Sequence, residues 1–213
     1  MMHAYDALYL EKARVSLARM LDTAVNVLNM DIDEFFELFI VSGVADLFGS
    51  GDVRTLAGMS GVELAYEVLD ICGISCERKF PEFVRDRSEE YWTGWALAYY
   101  QWDTSLSFAE IRDRVRVSDI RDMYVPYHEM DIRQFEDQMN RLIGGSGKET
   151  NLKLFREKHG ISQSRLAKET GIPVRTIQQY EQRQKSINRA HVEYVIRLSK
   201  VLGCDPSELL EIE

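Results

Sequence analysis

Cys72 and Cys76, four residues apart on or beside one predicted helix, have the spacing of two metal ligands. Zinc takes four protein ligands, or three and a water, and no second Cys or His pair lies near them, so they read as structural thiols. His128-Glu129 has the order that opens a His-Glu metal motif. Asp131 and Ile132 follow where a second His is needed, which assigns the pair to the surface or a cap. The glycines from Gly49 to Gly61 precede a helix but carry no Gly-Lys-Ser/Thr to cradle a phosphate. Trp92, Trp95, Tyr99 and Trp102 recur at helical spacing; core packing is the first reading and a ligand or partner groove the second. No catalytic constellation emerges. The expectation is a protein that is not an enzyme and needs no cofactor or metal.

The segment after residue 150 is more specific. Ser162 precedes Gln163–Thr170, a two-turn helical pattern that stops at Gly171, and a second helix is predicted from Val174 to about Gln182 with Pro173 at its start. Two short helices around one glycine make a helix-turn-helix. Counting Gln163 as position one, Ala167 stands fifth, where a bulky side chain would hold the helices apart. Gly171 stands ninth, where the turn requires a left-handed backbone. Leu166, Ile172, Ile177 and Tyr180 supply the apolar contacts between the helices.

With Leu152-Lys153-Leu154-Phe155-Arg156 before it, Tyr180-Glu181 within it, and Val195, Leu198, Leu202 and Asp205-Pro206-Ser207-Glu208-Leu209-Leu210 after it, this stretch resembles a Cro/repressor-type (XRE-like) DNA-binding domain over roughly Asn151 to Leu210. The resemblance implies a recognition helix in the major groove of double-stranded DNA. By position, Gln163 and Ser164 lie at the start of the domain's second helix, with Gln163 reaching a phosphate or base. Val174, Arg175 and Thr176 form the tip of the recognition helix. Gln178 and Gln179 lie one turn on, with Gln179 facing the groove. Arginine can donate twice to guanine, glutamine can pair with adenine, and Val174 can touch a thymine methyl. Gln182, Arg183 and Lys185 suit phosphates. The family often has Gly shortly after the Glu, where this chain has Gln182-Arg183-Gln184, so the recognition helix is expected to run longer.

The elements around this segment separate it from the rest. Residues 148–213 hold 12 Lys and Arg against 9 Asp and Glu, a net of +3, while residues 1–147 hold 14 against 26, a net of −12. Gly144-Gly145-Ser146-Gly147 is a linker by composition. The expected division is an acidic helical domain over 1–143, a linker over 144–150 and the DNA-binding domain over 151–213. The fold class is all-α: an N-terminal helical bundle plus a five-helix lambda-repressor-like domain. The N-terminal helices are marked by an apolar stripe from Leu10 to Leu28, a cap at Asp31 or Asp33, capping-box pairs Ser60/Glu63 and Ser107/Glu110, the aromatic run, and a last helix from Ile132 to Ile143. Gly49 to Gly61 reads as a loop.

With 45% hydrophobic and 29% charged residues, the composition is that of a globular chain. No apolar run is long enough to span a bilayer, and no signal-peptide pattern opens the chain, so no membrane association and a cytoplasmic location are expected. The function expected is a sequence-specific transcriptional regulator, a repressor. Its alternative is an antitoxin-like protein whose N-terminal domain binds a partner protein while the C-terminal domain autoregulates its operon. A homodimer is expected, with residues 1–147 self-associating through the Leu10–Leu28 stripe and the aromatic run around Trp95.

Overall fold

The computed structural model describes residues 3–79, 87–145 and 149–211, and all the regular structure there is helical. Among these residues no helix is long and apolar enough to cross a membrane. The chain falls into two compact units, one of His3–Met139 and one containing Asn140–Glu213.

The first unit opens with a 3-10 turn, Ala7–Tyr9, that leads into α1 (Leu10–Asp22), which continues through one π-helical turn, Thr23–Val27. Then follow α2 (Ile32–Val41), α3 (Val44–Ser50), a second π-helical turn at Arg54–Gly58, and α4 (Gly61–Ile71). After them come α5 (Glu89–Thr104), the short α6 (Phe108–Arg112), α7 (Val117–Arg121) and α8 (Tyr124–Tyr127), and α9 (Ile132–Gly145). Local chemistry starts most of them. Asp31 accepts from the Asp33 and Glu34 N–H groups, and both predicted capping boxes form, Ser60 with Glu63 and Ser107 with Glu110. Asp33 has a different task. Its carboxylate accepts from the Ser118 N–H at 2.9 Å and holds the start of α7, whose own N-cap residue, Arg116, provides no side-chain cap.

Helix α1 is the core of this unit. Ala13, Leu17, Ala18, Met20, Leu21 and Ala24 are fully buried, and α4 and α5 lie against it. The approach is close enough to exclude any side chain at two glycines. A Cβ on Gly61 would stand 2.3 Å from the Ser16 carbonyl oxygen, and one on Gly94 would stand 2.6 Å from that of Leu17. The apolar stripe expected to mediate self-association is therefore covered by the chain's own helices. Burying it within the unit is worth more than leaving it exposed for a partner, since each large aliphatic side chain gains about 1.5–3 kcal/mol on burial.

The Gly49–Gly61 region is also not the loop expected. Gly49 belongs to α3, Gly58 to the π-helical turn and Gly61 to α4; only Gly51, at φ +88°, marks a turn. The glycine density in part reflects close packing. The Gly49 carbonyl accepts from the buried Gln101 side chain at 3.1 Å, and a Cβ at Gly49 would crowd that amide. Phe36, Phe39, Phe48 and Phe108 then fill the space between α2, α3 and α6 with tilted and edge-on contacts. Helix α9 carries Phe135 and Met139 into the core and extends through Gly144 and Gly145, two of the residues read as linker. Residues 146–148, the rest of that stretch up to Lys148, lie outside the described residues.

The second unit contains α10 (Asn151–Lys158), α11 (Gln163–Thr170), α12 (Val174–Glu181) and α13 (Val192–Leu202). Two 3-10 turns complete it, Ile187–Arg189 and Pro206–Leu209, the second opened by an Asp205/Glu208 capping box. Leu152, Leu166, Ile172, Ile177, Leu198, Leu202 and Leu209 form the core. Glu211 clasps the ends of the unit: its carboxylate accepts from the Asn151 N–H at 2.8 Å and from Arg183 at 2.7 Å, and its carbonyl accepts from the Asn188 side chain at 2.9 Å.

Tyr180 is buried in this core, and desolvation pushes its phenol up from 10.0 to about 12. The folded unit keeps that proton where the unfolded chain loses it. Stability from this group is complete below about pH 10 and declines as pH rises towards about 12. Tyr180→Phe is expected to lessen that alkaline loss, measured as the urea midpoint between pH 9 and 11. Identical decline in both proteins would contradict the assignment.

Candidate DNA interface

The helix pair that positions the interface is specified locally. Ser162 caps α11 by accepting from the Arg165 N–H. Thr170 ends the helix with its hydroxyl bonded to the Leu166 carbonyl at 2.7 Å, and Gly171 turns the chain at φ +70°. Pro173 is the N-cap residue of α12, where its missing N–H costs nothing. Leu166, Ala167, Ile172, Ile177 and Tyr180 are all buried, so each residue assigned to the helix crossing is there.

A buried ion pair fixes α12 against α10. Arg156 Nε lies 2.5 Å from one Glu181 carboxylate oxygen and its terminal nitrogen 2.9 Å from the other, a bidentate contact. The Glu181 hydrogen bonds hold the Arg156 guanidinium above its usual pKa despite the cost of desolvation. Arg156 also donates to the Ile161 carbonyl at 2.9 Å, which ties down the chain entering α11. From the other side, the Gln163 amide donates to Glu181 at 2.7 Å and accepts from Gln178 at 3.3 Å. The pair escaped the sequence reading as a unit. One signal was available: Arg156 follows Leu152 at i+4 and so lies on the buried stripe of α10, where a charge requires a partner.

The predicted site residues fall into three groups. Ser164, Arg175 and Gln182 are exposed, and Val174, Thr176 and Gln178 are half-buried, which leaves Arg175, Gln178 and Gln182 along the accessible face of α12. Gln163 is at the start of α11 as expected, but its amide is committed to Glu181 and Gln178, so it orients α12 as well as standing near the face.

The remaining three differ from expectation. Gln179 is 5% exposed and Lys185 7% exposed, so neither side chain is presented to a groove or a phosphate. Arg183 is engaged with Glu211. The recognition helix does not run longer; it stops at Glu181, and Arg183 takes a left-handed backbone, φ +57°, in the place where the family often has Gly. The chain then folds back, the Lys185 N–H donating to the Gln179 carbonyl at 3.1 Å.

The other residues singled out earlier have structural places. Cys72 and Cys76 are free thiols, and the Cys72 thiol contacts the Leu38 carbonyl at 3.7 Å. His128 is the C-cap residue of α8, its ring nitrogen bonded to the Tyr124 carbonyl at 2.9 Å.

A four-helix core holding a capped, glycine-turned pair whose second helix keeps an accessible face defines a helix-turn-helix unit. Residues 152–209 match the helix-turn-helix family model, and this unit is a helix-turn-helix of the XRE type, a DNA-binding fold of transcription regulators. No curated protein and no solved structure matches the chain.

Proposed function

We propose that the protein is a sequence-specific transcriptional repressor that binds duplex DNA as a homodimer, with α12 in the major groove. The observation that carries this reading is the accessible face of α12, where Arg175 stands exposed in the first turn with Gln178 and Gln182 behind it. The first turn of a recognition helix is where base edges are met, and arginine is the commonest reader of guanine. Ser164, Val174 and Thr176 flank that turn and complete the contact set. One such helix makes few base contacts, so two half-sites about 34 Å apart are the expected target. In this reading the units act as domains, the second beginning with Thr150, which caps α10, and DNA as partner implies a cytoplasmic, nucleoid location.

Selection of bound sequences from a random duplex pool with the full-length chain tests the reading, followed by footprinting and sedimentation on the selected site. Arg175→Ala is expected to weaken the preferred site by about 1–3 kcal/mol and to relax preference at one or two base pairs. Because Arg175 is exposed, the melting temperature is expected to stay at wild type. Unchanged affinity and selectivity would refute the placement of α12, and a monomer protecting a single half-site would refute the dimer.

The net charge of −12 over residues 1–147 supports a second reading, an antitoxin-like protein whose N-terminal unit holds a basic protein partner. Co-purification of one basic protein at fixed stoichiometry, sensitive to salt, separates it from the first.

A further inference from the structure

The first unit contains a cavity of about 240 Å³ lined by Arg87, Tyr91, Trp92, Trp95, Tyr124 and His128. We infer that it is a binding site for a small planar aromatic acid, one or two rings bearing a carboxylate. The inference goes beyond DNA binding and rests on size, walls and charge.

The volume is below that of drug-sized sites, about 300–1,000 Å³, and suits a compact molecule. Five of the six lining side chains are rings, and planar rings are the shapes that pack against ring faces and edges without gaps. These walls are braced by one another and by residues outside the cavity. Trp92 stands edge-on to Phe135 with centroids 5.4 Å apart, and His128 stacks on Tyr124 at 4.2 Å. Arg14 lies 3.3 Å from the centroid of the Trp95 ring. Its guanidinium is largely buried, and desolvation lowers its pKa. The Trp102 indole N–H is satisfied by the Tyr5 carbonyl at 2.9 Å. The indole N–H groups of Trp92 and Trp95 have no acceptor among the described residues.

Charge selects among aromatic ligands. Arg87 is exposed at the cavity, 4.7 Å from the Tyr91 ring centroid, and makes no ion pair among the described residues. Arg19 approaches the same ring at 5.2 Å, paired with Asp22. Of the carboxylates near the ring set, Glu129 is 3.7 Å from the His128 ring and largely in solvent, and Glu90, beside Tyr91, faces Arg121 at 3.9 Å. An aromatic cage for a quaternary ammonium would need the opposite sign at its edge, because cations bind ring faces where no arginine competes. A carboxylate beside Arg87 gains a charge-assisted hydrogen bond.

Calorimetry and saturation-transfer NMR on the full-length protein, with benzoate and 2-naphthoate as probes, test the site without any DNA. A failure here is therefore separate from a failure of the DNA reading. Saturable binding is expected for at least one acid, about tenfold tighter than for the matching amide, benzamide or 2-naphthamide. Arg87→Gln, at an exposed position, is expected to leave the fold intact and bring acid and amide to equal affinity. Tyr124→Ala is expected to weaken both equally. The site assignment is overturned by absence of saturable binding, by equal affinity for acid and amide in the wild type, by a preference that survives Arg87→Gln, or by displacement of the acid with tetramethylammonium.

Discussion

Glu181→Ala is expected to leave the C-terminal unit largely unfolded at temperatures where the wild type is folded. The substitution strands Arg156, whose side chain is 11% exposed, opposite the place of a carboxylate that is 2% exposed. It also removes the acceptor of the Gln163 amide. Removing one partner of a buried pair costs about 3–5 kcal/mol, because the other charge stays desolvated. A unit of some sixty residues has a total stability of about 3–9 kcal/mol, so the loss is of the same size as the whole. DNA affinity is expected to vanish with the fold.

Arg156→Met combined with Glu181→Leu gives the informative control. Apolar replacement of both partners is often neutral or stabilising, so the double variant is expected to melt near or above the wild type. Gln163 and Gln178 would then lack their anchor on α12, and site selectivity is expected to fall while stability returns. Chemical denaturation followed by helical circular dichroism measures the first effect and binding to the selected duplex the second. A loss below about 1 kcal/mol in Glu181→Ala would show that the pair is not buried as described.

The second large effect is expected in the other unit, at Gly94. A Cβ there would stand 2.6 to 2.8 Å from three main-chain atoms of Leu17 and Ala18. No rotamer change relieves a clash with backbone, so α1 and α5 must separate along the centre of the core. Gly94→Ala is expected to cost about 3 kcal/mol or more, the upper end for overpacking, even after the gain of about 1 kcal/mol in helix propensity. Gly58→Ala serves as the comparison, since its nearest neighbour would be 3.7 Å away, and is expected to change stability by less than about 1 kcal/mol. All three tryptophans, Trp92, Trp95 and Trp102, lie in α5, so selectively excited tryptophan fluorescence follows this unit alone. Gly94→Ala melting with the wild type would place the α1–α5 contact elsewhere.

What the sequence by itself determined are the features whose partners lie within a turn of one another. The Ser60/Glu63 and Ser107/Glu110 boxes, the Asp31 and Ser162 caps and the left-handed Gly171 are read three or four residues at a time, because capping satisfies backbone groups that have no other partner nearby. The helix-turn-helix was legible for the same reason: Leu166, Ala167, Ile172, Ile177 and Tyr180 meet across a single short turn. Tertiary structure decided whatever depends on distant segments meeting. Asp33 could have capped its own helix, and only the approach of Ser118, 85 residues on, gives it to α7. Gly61, part of a stretch that signals a loop in isolation, became a contact point once α1 lay across it. Gln179 and Lys185 have the chemistry of DNA contacts, yet the folded unit buries both, one on each side of the left-handed turn at Arg183. Polarity is a property of a side chain, whereas exposure is a property of everything that packs against it.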